Sequence, residues 1–316
     1  MQIERFTADA EDRLDRLVAG HLMYLSRAQV QRLIGAGHAD VDGRPQTRPG
    51  RRVRAGAEIA IRLPTTPDLD ALAAEADLEV LYEDEELLVV NKKAGLLVHP
   101  VQGRPAVTLV HVVRAHRPEV ASIGGSRSGL VHRLDRDTSG VIAFAKTEAA
   151  RDSLRAQWKA RETLKVYHAI AEGFVEPAAG RIDAPLGPDP ADPTRRVVAE
   201  RGDPAFSEYR VLEQYGDEAA LVEVRILTGR THQIRVHLEA IGHPIIGDAV
   251  YGPASPRIER QALHAHRLGL CLPSTGEWRE FIAPRPDDVG AAVEALRDAH
   301  EVPPAALADP GAEDAA

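Results

Sequence analysis

The sequence has one cysteine, Cys271, among its 316 residues, and it has no long apolar run. A single cysteine excludes an intrachain disulfide and any zinc site built from several thiolates. A membrane-spanning helix needs roughly 20 consecutive apolar residues, and the charged N-terminal stretch, MQIERFTADAEDR, lacks the apolar segment of a signal peptide. We therefore expect a cytoplasmic protein that contacts no membrane and folds without disulfide bonds.

Sequence patterns for metal or phosphate-loop binding are also missing. The segment GRTHQ lacks the ending of a phosphate-binding P-loop. Two histidine pairs, His232 with His237 and His264 with His266, suggest metal ligands together with Asp248, but a helical pair that shares one ion is spaced four residues apart. His232 and His237 are five apart, and no third ligand follows at a recognisable spacing. The sequence therefore predicts no metal site.

Negative charge is concentrated in two segments of the chain. The net charge is −9, but residues 65–85 hold eight acidic and no basic residues, and residues 286–316 hold eight acidic residues and one basic residue. The rest of the chain carries a net charge of +6. A mildly basic body is compatible with a nucleic-acid partner.

Residues 1–64 have the pattern of a separate small domain. Apolar residues at helical spacing predict two short helices, and an Asp-Gly pair at Asp42 and Gly43 predicts a turn between short strands. Residues 26–56 contain seven arginines against two acidic residues. This cluster is either a solvated surface or a patch that contacts phosphates.

The remaining chain has more strand-like than helix-like segments. Helical spacing appears over residues 148–162 and 231–242, whereas residues 164–173 alternate as in a strand. Without a regular alternation of strands and helices, the pattern favours an α+β fold over a doubly wound sheet. We predict an acidic linker at 65–79, a main domain at 80–288, and an acidic, Ala/Pro-rich and partly disordered tail at 289–316.

Three segments could carry chemistry. The first, GLVHRLDRDTSGV from Gly129 to Val141, places charged residues in a bend, since Asp-Thr-Ser-Gly is typical of turns. By itself it is either a loop that neutralises its own charges or a bend that holds a carboxylate. The second is the strand face of Lys165 and Tyr167, which could equally be core. The third is a helix in which Arg235 could simply pair with Glu239 on the surface.

Taken together and in order, these segments resemble the three motifs of the RluA-type pseudouridine synthases. The matching stretches are GLVHRLDRDTSGVIAFAKT, LKVYHAIAEG and ILTGRTHQIRVHLEAIGHPIIGDAVYG, and the resemblance extends from about residue 80 to 288. The family commonly has Pro where Lys93 stands and Phe where Trp158 stands. The N-terminal segment resembles the S-four-type RNA-binding domain, which usually has Asn in place of Asp42.

The resemblance implies both a fold and an activity. The fold would be a mixed, mostly antiparallel central sheet with flanking helices, plus a small α/β RNA-binding domain. The activity would be isomerisation of uridine to pseudouridine in RNA by a monomer without cofactor or metal, with large-subunit ribosomal RNA favoured because of the appended domain. Alternatives are a tRNA pseudouridine synthase of the same family, a non-catalytic RNA-binding or ribosome assembly factor, and a metal-dependent hydrolase.

The resemblance also assigns the site. Asp135 would be the catalytic carboxylate, acting as a covalent nucleophile or as a base and charge stabiliser. Burial disfavours an ionised carboxylate and a nearby guanidinium favours it, which is the role implied for Arg235. Tyr167 would stack on the uracil and relay a proton. The residues expected to contact substrate or RNA are His132, Arg133, Lys165, Arg230, His232 and Gln233 in the main domain, and Arg27, Arg32 and Arg52 in the N-terminal domain.

Overall fold

The computed structural model describes residues 2–22, 27–63, 69–101, 106–192 and 194–303. The chain divides into two compact units, residues 1–72 with 101–106 and residues 73–100 with 107–316. Each unit has a hydrophobic core of its own.

The smaller unit combines two short helices with small antiparallel sheets. Leu14 and Val18 of the first helix, and Val30 and Ile34 of the second, are buried in its core, so the predicted apolar faces are confirmed. The α/β character expected for this part of the chain is confirmed as well. The elements are β1 (Gln2–Thr7), β2 (Asp12–Arg13), α1 (Leu14–His21), α2 (Arg27–Gly35), β3 (Ala39–Val41), β4 (Arg44–Gln46), β5 (Arg52–Val53) and β6 (Glu58–Leu63).

The sheets of this unit run in the order β1-β6-β3-β4, with β2 pairing β5 separately. Strands β3 and β4 form the predicted hairpin, because Asp42 and Gly43 between them have φ of 49° and 71°. Positive φ at both central residues is the conformation of the tight hairpin turn that Asp-Gly favours.

The larger unit is built on a nine-stranded sheet of order β11-β14-β15-β10-β16-β9-β8-β7, with β17 pairing β16. Among the described strands of this sheet, only β9 and β16 pair in parallel, so the predicted mixed, mostly antiparallel sheet is confirmed. Its strands are β7 (Val80–Glu83), β8 (Leu87–Lys92), β9 (Ser139–Ala145), β10 (Leu164–Glu172), β11 (Ala179–Asp183), β14 (Phe206–Tyr215), β15 (Ala219–Ile226), β16 (Leu263–Cys271) and β17 (Trp278–Ile282), and a separate pair is β12 (Leu186–Pro188) with β13 (Arg196–Val198).

The helices flank this sheet. Helix α5 confirms the helix expected over 148–162, and it begins where the Thr147 side chain accepts a hydrogen bond from the Ala150 N–H. Leu154 of this helix is completely buried. The helices are α4 (Leu109–His116), α5 (Glu148–Ala160), α6 (Gln233–Ala240) and α7 (Asp287–His300), with short 3-10 helices at Pro118–Ser122 and Gly125–Arg127.

The two acidic segments differ from the prediction. The expected linker contains α3 (Leu69–Glu75), and the expected tail begins with α7, which belongs to the larger unit. Val289, Val293 and Leu296 form a buried stripe on α7, and Arg297 binds the carboxylate of Glu213 at 2.6 and 2.7 Å. The acidic composition concealed this apolar periodicity. Residues 304–316 of the expected tail lie outside the described residues.

Candidate active site

The bend of residues 129–138 leads directly into β9. Gly129 has φ of 75°, and a Cβ there would lie 2.1 Å from the Ala145 carbonyl oxygen. Gly140, with φ of 118°, would place a Cβ equally close to the carbonyl oxygen of Ala265. Both positions therefore require glycine, because the backbone of another strand passes too close for a side chain.

Two cations hold the backbone of this bend. The Lys92 ammonium is almost completely buried and donates to the carbonyls of Arg136 at 2.8 Å, Leu96 at 2.8 Å and Lys93 at 2.9 Å. Burial lowers the pKa of Lys92 to about 7, although the charge of Asp137 opposes that shift. Sequence reasoning missed Lys92, although a lysine that ends the apolar run LLVVNK is an unusual core residue.

The second cation is Arg260. It donates to the carbonyl of Asp137 at 2.9 Å and to the carboxylate of Asp288 at 2.6 and 2.8 Å. The bend thus has successive carbonyls bound by side chains from two distant parts of the chain. Sequence reasoning missed Arg260 too, since its distance of 123 residues from Asp137 leaves no local signal.

The carboxylates of the bend have separate partners. Asp137 binds Arg136 at 2.9 to 3.1 Å on the surface, so part of the bend does neutralise its own charge. Asp135 instead accepts a hydrogen bond from Arg235 at 3.2 Å, and its side chain is 19% exposed. Asp135 is therefore the carboxylate of this bend that is bound by a buried guanidinium from a distant part of the chain.

Arg235 is fixed by a second carboxylate, Asp248. Its guanidinium donates to the two oxygens of Asp248 at 2.6 and 2.8 Å and lies 4.9 Å from the centre of the Tyr251 ring. Burial lowers the pKa of Arg235, but the hydrogen bond and charge of Asp248 outweigh it, so that the pKa is raised. The surface pairing of Arg235 with Glu239 that the sequence allowed is wrong.

Asp248 is completely buried and bound on both oxygens. Besides Arg235, it accepts the N–H groups of Val250 at 2.9 Å and Tyr251 at 3.2 Å. Burial raises the pKa of Asp248. The hydrogen bond and charge of Arg235, together with these N–H groups, lower it by more, so the net shift of the pKa is downward. The sequence reasoning considered Asp248 only as a metal ligand and missed this role.

Tyr167 reaches the site through strand pairing. Ala265 of β16 pairs with Gly140 of β9 on one side and with Tyr167 of β10 on the other, which brings the first two motifs to one place. Burial, and then the charge of Asp135, raise the pKa of the Tyr167 phenol. Tyr167 is therefore a neutral phenol at physiological pH, and its ring is suited to stacking.

The loop before α6 completes the wall of a cavity that contains Asp135. His232 has φ of 58°, and its Nδ1 is 2.8 Å from the Tyr251 hydroxyl, while its Nε2 is 3.9 Å from Asp135. Burial is the main cause of a lowered His232 pKa. The cavity brings together seven of the predicted residues, namely Arg133, Asp135, Tyr167, Arg230, His232, Gln233 and Arg235.

Comparison with known proteins agrees with this arrangement. Residues 86–240 match RNA pseudouridylate synthase, and residues 12–59 match the S-four domain. A relative from Chloroflexus aurantiacus, named as an uncharacterized RNA pseudouridine synthase, is 46% identical over 289 residues, which cover 91% of this chain and 90% of that protein. The chain belongs to the RluA-type family of RNA pseudouridine synthases.

Two further relatives extend this comparison. The ribosomal large subunit pseudouridine synthase D of Vibrio parahaemolyticus is 37% identical over 299 residues, 90% of this chain and 91% of that protein. The solved structure of human RNA pseudouridylate synthase domain containing 1 is 29% identical with a TM-score of 0.56, over 70% of this chain and 95% of that chain. This pseudouridine synthase is therefore an isomerase with an S-four domain at its N-terminus.

Some predicted RNA contacts of the synthase have internal partners. The Gln233 amide accepts from Thr228 and the Arg230 N–H, and donates to the Phe206 carbonyl and to Ser207, at 2.8 to 3.1 Å. All of its hydrogen-bonding positions are occupied, so Gln233 positions the loop before α6. Arg230 is exposed and donates to the Pro204 carbonyl at 3.1 Å.

His132 and Lys165 lie outside the cavity that holds Asp135. The His132 Nε2 accepts the Ala143 N–H at 3.0 Å, and the ring stacks on Trp158 at 4.8 Å between centroids. Burial, with a contribution from Lys165, lowers the His132 pKa to about 3, so the imidazole is neutral. Lys165 is buried, which lowers its pKa to about 8.

The predicted contacts of the S-four domain differ in their availability. Arg27 binds the buried Asp15 at 3.0 and 3.1 Å, so its guanidinium stabilises the domain. Arg52 is highly exposed and pairs with Glu11 at 3.3 Å. Arg32 is also exposed on α2. All three arginines remain predictions for RNA contact, since the Arg27 side chain is also 47% exposed.

The histidines considered as metal ligands have other partners. His264 and His266 both donate to the carbonyl of Ala283, at 3.2 and 3.1 Å, and the His237 ring binds Ser207 and the Ala184 carbonyl. Among the described residues, no group of three or more His, Cys, Asp or Glu side chains is arranged to hold a metal ion. In the same part of the chain, no helix is long and apolar enough to cross a membrane.

Proposed function

We propose that this enzyme isomerises specific uridines of large-subunit ribosomal RNA to pseudouridine, with Asp135 as its catalytic carboxylate. The observation that carries the proposal is the placement of Asp135. It is accessible from the cavity, yet it is bound by Arg235, whose own position is fixed by the buried Asp248. A carboxylate that is oriented before substrate arrives loses little freedom when it reacts.

The proposed reaction rearranges one nucleoside without loss or gain of atoms. The bond between the sugar C1′ and N1 of uracil breaks, and a bond between C1′ and C5 forms after the base turns. The proton on C5 passes to Tyr167 or through it to water, and N1 takes up a proton from water. Asp135 would attack C1′ or stabilise the charge that develops on the sugar, as carboxylates do in glycosidic chemistry.

Tyr167 and Arg133 would act on the base rather than on the sugar. Tyr167 lines the same cavity as Asp135, so its ring can stack on the uracil, and its hydroxyl would accept or relay the proton that leaves C5. The target base must leave its stack to enter, which costs a few kcal/mol. Arg133 is exposed at the mouth of the cavity and would fill the space left in the RNA.

The choice of ribosomal RNA is supported by the S-four domain and by the relatives. The domain presents exposed arginines, including Arg32 and Arg52. Relatives that cover about nine-tenths of this chain are named ribosomal large subunit pseudouridine synthase D. These two observations favour large-subunit RNA over tRNA as the substrate.

The test replaces Asp135 with Asn and measures tritium release from transcripts labelled at C5 of uridine. We expect the rate on large-subunit ribosomal RNA to fall by at least about a thousandfold, as for enzymes that lose an essential reacting group. RNA affinity should stay close to that of the wild type, because the substitution preserves the side-chain shape. Turnover by Asp135→Asn at even a tenth of the wild-type rate would contradict the catalytic role.

A matched control and a second substrate sharpen this test. Asp137→Asn makes the same change two residues away, in a carboxylate whose partner is the exposed Arg136, and it should retain activity. Parallel assays on labelled tRNA decide the substrate class. Faster release from tRNA than from large-subunit RNA would favour a tRNA pseudouridine synthase, and binding without release from either would favour a non-catalytic factor.

A further inference from the structure

A second cavity, of about 270 Å³, lies beside the active site, and Arg133 lines both cavities. Two guanidiniums, those of Arg127 and Arg133, and the imidazole of His99 line it. The other lining residues are Leu130, Val131 and His132, so no carboxylate is found among the described residues that form its wall. We call it the basic cavity.

Among the described residues, its two guanidiniums have no hydrogen-bonding or ion-pair partner. Arg127 and Arg133 are exposed, and within the described ranges neither side chain makes a hydrogen bond or an ion pair. Other arginines of this unit are paired, for example Arg117 with Glu83 at 2.7 Å and Arg151 with Glu148 at 2.9 Å. The basic cavity therefore concentrates positive charge that the part of the chain described by the structure does not neutralise.

His99 lines the same cavity as the two arginines. The histidine is half-buried, and burial, followed by the charges of Arg133 and Arg127, lowers its pKa. His99 is therefore neutral near pH 7 and can offer one N–H donor. Two permanently charged guanidiniums and a neutral N–H donor around a small concave site can bind the oxygens of a phosphate group.

We propose that the basic cavity binds the phosphodiester group of a nucleotide next to the target uridine, with Arg127 as its cationic ligand. The inference rests on the proposed function, because it takes the occupant of the neighbouring cavity to be a uridine of an RNA strand. Arg133 lies two residues before Asp135 and lines both cavities. A ligand that occupies both cavities must have a sugar at Asp135 and an anionic group next to that sugar. A polynucleotide has this structure.

The test uses Arg127→Gln, since Arg127 lines only the basic cavity. Each lost phosphate contact lowers the magnitude of the slope of log K against log salt by about 0.7 to 0.9. We expect this decrease for the full chain binding transcribed large-subunit RNA. We also expect an increase of about tenfold in KM with kcat unchanged, because a contact made equally in ground and transition states affects binding alone.

Arg155→Gln is the matched control. Arg155 is exposed on α5 and lines neither cavity, and the substitution removes the same charge. If Arg127→Gln and Arg155→Gln have the same salt slope and the same KM, the basic cavity does not bind phosphate and the proposal is overturned. Equal unfolding temperatures of the two variants verify that the comparison is between folded proteins.

Two further measurements distinguish the remaining outcomes. If the wild-type protein releases no tritium, the proposed function fails, but a lower salt slope for Arg127→Gln still supports phosphate binding by this cavity. Calorimetry with inorganic phosphate tests whether the cavity instead binds a free phosphate group. Binding of free phosphate that depends on Arg127, with an unchanged RNA salt slope, would assign the cavity to a small phosphate and overturn the RNA proposal.

Discussion

Replacing Asp248 with Asn should destabilise the larger unit without changing the shape of the core. The carboxylate is completely buried and accepts both hydrogen bonds from Arg235, in addition to the N–H groups of Val250 and Tyr251. In the Asn variant the negative charge is lost. The amide NH2 group cannot accept a hydrogen bond, so it faces a donor of Arg235 or a backbone N–H group without bonding to it. The buried guanidinium then keeps only Asp135, at 3.2 Å, as a charged partner.

The expected magnitude follows from this geometry. Removing one partner of a buried ion pair costs about 3–5 kcal/mol, and we expect the lower end because Asp135 remains. A domain of ordinary stability, about 5–15 kcal/mol, would still fold. The free energy of unfolding can be measured in urea by tryptophan fluorescence, since both tryptophans, Trp158 and Trp278, lie in the larger unit.

A surface pair provides the control. Asp203 lies 3.7 Å from Arg230 and is 72% exposed, so Asp203→Asn should change the free energy of unfolding by less than about 1 kcal/mol. Combining Asp248→Asn with Arg235→Gln should recover part of the loss, because no unpaired buried charge remains. A loss below about 1 kcal/mol for Asp248→Asn, or strict additivity in the double variant, would refute the argument that Asp248 holds Arg235.

Two other predictions concern pH and the bend. Burial lowers the pKa of His132 to about 3 and of His264 to about 4, whereas unfolded histidines titrate near 6.5. As the pH falls from about 6.5 to 4, the unfolded chain therefore binds more protons than the folded chain. The free energy of unfolding, measured in urea, should decrease by up to about 1.4 kcal/mol per pH unit for each histidine. A free energy of unfolding that does not change between pH 7.5 and 5 would contradict this. Arg260→Gln removes the donor to the Asp137 carbonyl, so we expect kcat to fall about tenfold while RNA affinity is unchanged. Arg260→Lys should recover part of this kcat. An unchanged kcat in Arg260→Gln would show that the bend holds its shape without Arg260.

The local features of the fold could be predicted from sequence. The helix at α5, the alternating strand β10 and the turn at Asp42 and Gly43 follow from periodicity and turn chemistry, which act over a few residues. Helix α7 was missed because its acidic composition was weighed above the spacing of Val289, Val293 and Leu296. That stripe becomes meaningful only when a sheet is present to cover it.

The candidate site could be predicted in part. The order of the three motifs pointed to Asp135, Tyr167 and Arg235, and the structure places all three around one cavity. The sequence could not decide between Glu239 and Asp248 as the partner of Arg235. Glu239 has the favourable helical spacing, but Asp248 lies in the buried segment after α6, where a guanidinium is less solvated and an ion pair is stronger.

The sequence by itself determined the two-domain plan, the turn before β9 and the motif that contains the proposed catalytic carboxylate, because each depends on neighbouring residues. Only the tertiary structure decided which groups hold that carboxylate. Asp135 and Arg235 are 100 residues apart, and Lys92 lies 44 residues from the carbonyl of Arg136 that it binds. Such contacts arise when strands from distant parts of the chain pair in one sheet, and no local spacing encodes them.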